Sequence, residues 1–384
     1  VPVRENEWDR RHVPYEIANA EHLAMTESAG MINLSHFAII DVEGPDAECM
    51  LEYLSLAKVG GNTPEGRIIY TNFLDGKGGV HADLTISRLG TDRYRVITGG
   101  ADGNRDWVTL RNYRDDNGLK AVIDIRTHDI ATLGLWGPEA KNALGHFVDP
   151  NEISIENFPF ATAKYLTLNL SGGKTIDVWA ARISYVGESG WEIYLNNNSE
   201  EGLALFDSLL EVGVVPVGIE TYANSRRMEK SFRLQGADLE SEYNACESAI
   251  ERRIVKEADF HGKAAHLAHR EEEPCAILCT MTLDSLNVSG KLRYPVGISP
   301  IIDPDTGEVP VDTKGRRSYS TSMSYCPSIK KHVVMGYLPK NIAIVGKSLS
   351  LEYFNENGDG VYPMTVEIVG KGSIFDPENK RVRS

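Results

Sequence analysis

Apolar positions at helical spacing open the chain: Ile17, Ala20, Leu23 and Ala24 predict a helix over 16–30, which Gly30 stops. From Met31 to Val42 apolar and polar residues alternate as in a strand, ending at Gly44-Pro45, and a second helix is expected over 46–56. The same unit of strand, Gly-Pro and helix returns where Gly137-Pro138 precedes a helix over 139–144. Proline in a first helical turn gives up no hydrogen bond the helix needs, so Gly-Pro marks a strand-to-helix junction. The recurrence predicts two related α+β halves. Between the two units, residues 66–100 read as three antiparallel strands turned at Asp75-Gly76 and Gly90-Thr91. A helix over 103–114 and a strand over 121–125 follow.

The second half is built around residues 182–195, R-I-S-Y-V-G-E-S-G-W-E-I-Y-L. Ile183 and Tyr185 fall on one face of a first strand, which breaks at Gly187 and turns through Glu188-Ser189-Gly190. A second strand is expected from Trp191. Helices are predicted over 200–212 and 220–232, with shorter helical pieces over 248–254 and 263–269. From Pro274 onward the pattern changes to strands separated by Gly, Pro and Asp turns. The expected architecture is α+β in three packed lobes. Residues 1–60 and 156–245 form the first, 61–155 and 246–273 the second, and 274–384 a barrel-like all-β module.

Composition narrows the classes. A chain of 384 residues with 41% hydrophobic and 25% charged residues is globular and large enough for several domains. A net charge of −15 argues against a nucleic-acid partner, and no run is long enough to cross a membrane. The first residues, V-P-V-R-E-N-E-W, carry neither a signal-peptide core nor an initiator methionine. They read as a processed start or as the C-terminal part of something longer. The five cysteines are scattered and odd in number, which fits structural thiols in a reducing compartment better than disulfides or a metal site. The expected location is cytoplasmic, or the mitochondrial matrix in a eukaryote.

Several residue types could carry chemistry. Glu188 and Glu192 bracket the hairpin turn. They are either solvated acids or carboxylates that receive a ligand's N–H donors, since a buried strand carboxylate is costly without hydrogen bonds. Asp83 shares a strand face with His81, Thr85 and Ser87, opposite Val80, Ala82, Leu84 and Ile86. It lies on a plain polar face or in a site, with His81 read as structural. Tyr70, Tyr94 and Val96 are the flat and branched types that line a slot for a flat ligand, and equally those of an ordinary sheet core. Arg226, Lys230 and Arg233 stand at i, i+4 and i+7 and would share a helix face, toward solvent or toward an anionic ligand tail.

The hairpin is similar to the Y-T-G-E-x-G-x-E signature of the aminomethyltransferase family, which includes the glycine-cleavage T-protein. It is closer still to the folate-binding half of dimethylglycine and sarcosine dehydrogenases. G-G-V-H-A-D-L, R-Y-R-V-I-T-G-G, N-S-R-R-M-E-K, the run S-Y-S-T-S-M-S-Y ending in G-Y-L-P, and F-D-P-E-N-K-R resemble further family segments in the right order. The resemblance implies a three-lobed fold with tetrahydrofolate between the lobes and Asp83 as the catalytic acid–base and electrostatic group. It also implies Glu192, Tyr94, Val96, Tyr70, Tyr185, Arg227 and Arg381 as cofactor-binding residues, with no metal. One departure is Ala223, where the T-protein has a folate-contacting arginine, which weakens the case for glycine cleavage itself.

The implied reaction captures a one-carbon unit from a small methylated amine as 5,10-methylenetetrahydrofolate. No flavin motif is present, so a flavin-dependent or other oxidising partner domain or subunit would do the oxidation. Direct methyl transfer from an onium or ether donor, and a folate-binding module without chemistry of its own, are the rival readings.

Overall fold

A computed structural model describes residues 15–196, 199–283, 297–355 and 358–384; the first residues discussed above lie outside these. In chain order the strands are β1 (Gly30–Asn33), β2 (Ala38–Glu43), β3 (Ile68–Leu74), β4 (Val80–Gly90), β5 (Arg93–Thr98), β6 (Val122–Ile125), β7 (Ile130–Trp136), β8 (Thr162–Asn169), β9 (Thr175–Arg182), β10 (Gly190–Asn196) and β11 (Val215–Pro216). Then come β12 (Ala276–Leu283), β13 (Ile301–Ile302), β14 (Ser320–Cys326), β15 (Lys331–Pro339), β16 (Ser348–Asn355) and β17 (Gly358–Val369). The main helices are α1 (Tyr15–Glu27), α2 (Ala47–Leu54), α3 (Gly103–Asp116), α4 (Ala140–Leu144) and α5 (Ser199–Glu211), with a later helix at Lys263–Glu271.

Three sheets result, in the orders β11-β1-β7-β10-β9-β8, β3-β4-β5-β2-β6 and β13-β16-β17-β12-β15-β14. The third curls until its ends meet: Ser320 N–H donates to Ser299 O at 2.8 Å and Ile301 N–H to Ser318 O at 3.2 Å. The α+β class and the barrel-like C-terminal module are therefore present. The sheets cut the chain elsewhere than the expected 1–60 and 61–155 segments. β2 and α2 join the second sheet and its core, whereas β7 and α4 belong with the first. Each Gly-Pro junction stays within one lobe, joining β2 to α2 and β7 to α4, and the chain changes sheet between β1 and β2 and between β6 and β7. Gly44 (φ 138°) and Gly137 (φ 134°) take the same conformation, and a Cβ on either would lie 2.5 Å from Lys120 O or 2.3 Å from Ser28 O.

The first two sheets pack face to face. One apolar cluster joins Ile39, Ile68 and Ile97 of the second sheet to Ile130, Ala163, Trp179, Ala181 and Tyr194 of the first. The opposite faces bury separate cores, one against α4 and α5 and one against α2 and α3. Strand alternation thus sends every second side chain of β4 and of β10 into the space between the sheets.

Two local expectations differ. The first hairpin strand stops at Arg182, because Ile183 turns off the sheet and gives its carbonyl to Trp136 Nε1–H at 2.8 Å. The expected helix over 220–232 is instead a π-helical turn, Thr221–Arg226, followed by a short turn, Arg227–Glu229. Its charged side chains are pulled to ion partners on several sides. The helical piece expected over 248–254 is irregular.

Candidate functional site

The site is best assembled from the two strands that face each other. On β4, Val80, Ala82, Leu84 and Ile86 are buried in the lobe core, which turns Asp83 toward the first sheet. Asn72 stands opposite Asp83 in the β3–β4 register, and its Nδ2–H donates to Asp83 Oδ1 at 2.8 Å. The Tyr70 hydroxyl, two residues earlier on the same strand face, also hydrogen-bonds Asp83. Burial pushes the Asp83 carboxyl up to about 7 against these bonds and against the Arg233 guanidinium. A carboxyl poised there gives or takes a proton near neutral pH.

On β10, Glu192 is 6% exposed and turned the same way into the intersheet space. The Tyr194 hydroxyl, next on that face, donates to Glu192 Oε2. Burial pushes Glu192 up to about 7, with the Tyr194 bond opposing. An aromatic wall runs from Glu192 toward Asp83: Tyr222 lies beside Tyr185 (ring centroids 5.4 Å), and Tyr185 stacks on Phe232 (6.0 Å). Burial raises both phenol groups, and the Glu192 charge adds to this at Tyr222 and the Asp83 charge at Tyr185. The π-helical turn places Tyr222 in this wall, as π-bulges often do at functional sites.

The structure therefore brings together Asp83, Tyr70, Tyr185 and Glu192, but not the other expected site residues. Tyr94 and Val96 pair with Arg88 and Ile86 across β4–β5 and point into the core on the far side of the sheet from Asp83. There the Tyr94 hydroxyl donates to Glu48 at 2.8 Å. Period-two alternation makes it impossible for them to share the face of Asp83.

Arg227 is fully buried, with its N–H groups committed to Ala223 O, Phe232 O, Asp238 and Ser322. It joins the first lobe to the barrel. Arg381 grips both oxygens of Glu188 through Nε at 2.9 Å and reaches Thr26 O, tying the C-terminal segment to the hairpin turn. Glu188 also pairs with buried Arg226 at 2.5 Å, so it is neither solvated nor ligand-facing. Arg226 and Lys230 are buried too, and no solvated cationic face forms.

Asn72, Tyr194, Tyr222 and Phe232 escaped the sequence reading. Tyr194 was accessible to it, two residues after Glu192 in a strand. Asn72 required the register of a hairpin, and Tyr222 required a helix that is not α.

A raised carboxyl has a thermodynamic signature. Between pH 4.5, the ordinary Glu value, and about 7, folded Glu192 holds a proton that the unfolded chain has lost. The folded state binds more protons in that window, so stability falls as pH rises through it. Glu192→Gln should flatten this slope in the melting temperature measured from pH 4.5 to 7.5. An equally steep slope in the variant would mean that Glu192 is not the group responsible.

Two facing sheets with paired carboxyls, closed by a curled β module, define a class of fold before any comparison. A solved glycine cleavage system aminomethyltransferase T from Bartonella henselae has the same fold: TM-score 0.74, 22% identity, with 91% of this chain and 88% of that one covered. Residues 4–258, well over half the chain, match the model of the GCVT N-terminal domain. The chain belongs to the GCVT, or aminomethyltransferase, family.

Among relatives, it is 28% identical over 378 residues to the mitochondrial dimethylglycine dehydrogenase of Homo sapiens, covering 93% of this chain and 38% of that protein. It is 28% identical over 347 residues to an aminomethyltransferase of Symbiobacterium thermophilum, covering 88% and 86%. The chain thus spans less than two fifths of the dimethylglycine dehydrogenases it matches. Among the described residues no helix is long and apolar enough to cross a membrane, and no group of acids, histidines and cysteines could hold a metal ion.

Proposed function

We propose that the chain binds tetrahydrofolate between its two facing sheets and passes it a one-carbon unit from a small methylated amine. What supports this reading most is that Asp83 on β4 and Glu192 on β10 both turn away from their lobe cores, on the strand faces opposite Ala82, Leu84, Trp191 and Ile193, while Tyr185, Tyr222 and Phe232 stack in a row. Those residues fit the cofactor. Glu192 offers a desolvated acceptor for the forked N–H groups of a pterin, and Tyr185, Tyr222 and Phe232 offer flat surfaces. Bound tetrahydrofolate supplies the nucleophilic amines that take up the carbon. Asp83 accepts the proton released at the reacting nitrogen, and its charge stabilises positive charge developing there.

An oxidising partner, a flavin-dependent domain or subunit, would deliver the carbon at the formaldehyde level. The dehydrogenase relatives, far longer than this chain, support that part of the reading. Family membership and the facing carboxyls support a catalyst over a passive binding module.

The test is calorimetric titration of tetrahydrofolate, followed by mass spectrometry of the folate product. A methylene product agrees with the proposal; a methyl product means direct methyl transfer. Glu192→Gln keeps shape but turns one acceptor into a donor. A hydrogen bond to a charged group contributes about 1.5–3 kcal/mol, so affinity should drop roughly tenfold to a hundredfold. A folded Glu192→Gln variant with wild-type affinity would remove Glu192 from the site.

A further inference from the structure

Glu192 is held by a hydrogen bond from one side only, that of Tyr194. Its neighbours across the sheet are Gly134 on β7 and Ala181 on β9, which have no polar side chain to offer. The Trp136 ring covers Gly134 so closely that a Cβ there would lie 2.1 Å from it, and its indole N–H is already given to Ile183 O. Two phenols feel the Glu192 charge, Tyr222 from the π-helical turn and Tyr194, and the Tyr194 hydroxyl donates to Glu192 Oε2. Among the described residues Glu192 Oε1 accepts no hydrogen bond, which leaves that oxygen for a ligand.

Tyr194 is itself held from the facing lobe. It stands opposite Trp179 in the β9–β10 register, with ring centroids 5.0 Å apart. The Arg95 guanidinium lies over Trp179 at 5.1 Å. Arg95 is fixed in turn by a two-point ion pair with Asp41, its partner across β2–β5, at 2.8 and 2.9 Å. Asp41 and Arg95 belong to the second sheet, and Trp179, Tyr194 and Glu192 to the first. The chain of contacts therefore crosses between the sheets and ends on the carboxylate. Ring pairs and a desolvated cation over a ring both favour one geometry, so the phenol is aimed before any ligand arrives. A phenol that donates to a carboxylate fixes its direction and favours its ionised form. Burial of Glu192 works the other way, with the Tyr194 bond opposing it.

We infer that Tyr194 is a positioning residue for Glu192, held by Trp179 beside it and by Arg95 from the facing sheet, and that it sets the pH above which Glu192 accepts the cofactor's N–H groups. This inference rests on the folate-binding reading above and adds to it what aims and ionises the acceptor.

Tyr194→Phe removes the hydroxyl and keeps the ring, and two measurements read its effect. The first needs no cofactor. Above pH 4.5 folded Glu192 holds a proton that the unfolded chain has lost, so the melting temperature falls as pH rises to the folded value, about 7 in wild type. Without the Tyr194 bond that value climbs, and the fall should continue about one to two pH units further, the scale of one hydrogen bond to a charged group. The second is calorimetric titration of tetrahydrofolate from pH 6 to 9. Wild-type affinity should rise with pH through about 7. In Tyr194→Phe the rise should move up by the same interval, leaving affinity about fivefold or more lower at pH 7 and recovering toward pH 9. Asp83 titrates in the same range, and a Glu192→Gln background separates the two groups: there, adding Tyr194→Phe should move neither profile. Arg95→Met should shift both profiles in the direction of Tyr194→Phe, by less. Unmoved profiles in a folded Tyr194→Phe variant, or an affinity loss equal at every pH, would overturn the positioning role. Unmoved profiles in Arg95→Met would overturn the hold from the facing sheet, and would decide the whole inference should Tyr194→Phe fail to fold. Wild-type protein that binds no tetrahydrofolate would sink the proposed function, while the melting profiles would still decide whether Tyr194 ionises Glu192.

Discussion

Asp83→Asn should bind tetrahydrofolate almost as well as wild type and transfer the one-carbon unit about 10² to 10⁴ times more slowly. The substitution keeps the size of the side chain and its bond partners Asn72 and Tyr70, and removes the base and the charge. Loss of a general base costs that much in rate. Ground-state affinity changes little because the positive charge that Asp83 stabilises develops mainly in the transition state. The pH profile adds a second signature. Asp83 is pushed up to about 7, and only its ionised form accepts a proton. The wild-type single-turnover rate should therefore climb with pH through about 7 and then level, whereas the Asn variant should lack that limb. Single-turnover assays at saturating folate, run beside binding titrations, separate the two effects. A variant that binds weakly but turns over normally once saturated would make Asp83 a positioning residue and overturn the mechanism.

What the sequence made legible follows the length scale of its signals. Period-two alternation placed Asp83 correctly across the sheet from Val80, Ala82, Leu84 and Ile86, because that pattern is local to one strand. The Gly-Pro repeat located both strand-to-helix junctions for the same reason. Applied to β5, the same rule would have excluded Tyr94 and Val96, but only once the β4–β5 register was known. Lobe boundaries were misread because β2 and β7 each cross to the sheet made mostly by the other part of the chain. Strand pairing at that separation leaves no mark in a local window. The charged segment around Arg226 was the hardest to read. Three cations at helical spacing ordinarily mean a solvated face, yet Arg226 pairs with Glu188 and Glu229, and Lys230 with Asp376, all from different or irregular parts of the chain.

Arg227 shows the consequence most directly, because the family resemblance assigns it to the cofactor while its surroundings make it a buried strut. Its guanidinium pairs with Asp238, and both side chains are at most 1% exposed. Removing one partner of such a pair leaves an uncompensated buried charge, which costs about 3–5 kcal/mol. Arg227→Met should therefore lower the urea midpoint of the protein sharply. Adding Asp238→Asn should restore much of the loss, since its amide oxygen can still accept from the Leu234 N–H, its NH2 can donate to the Thr321 hydroxyl, and no charge is left. The tetrahydrofolate affinity of whatever fraction stays folded should match wild type, because Arg227 is fully buried with its guanidinium committed to Ala223 O, Phe232 O, Asp238 and Ser322. Denaturation midpoints of the two single variants and the double variant, with folate titrations of each below its transition, provide the check. A double variant no more stable than Arg227→Met alone would refute the strut. A folded Arg227→Met protein with folate affinity reduced tenfold or more would return Arg227 to the binding site.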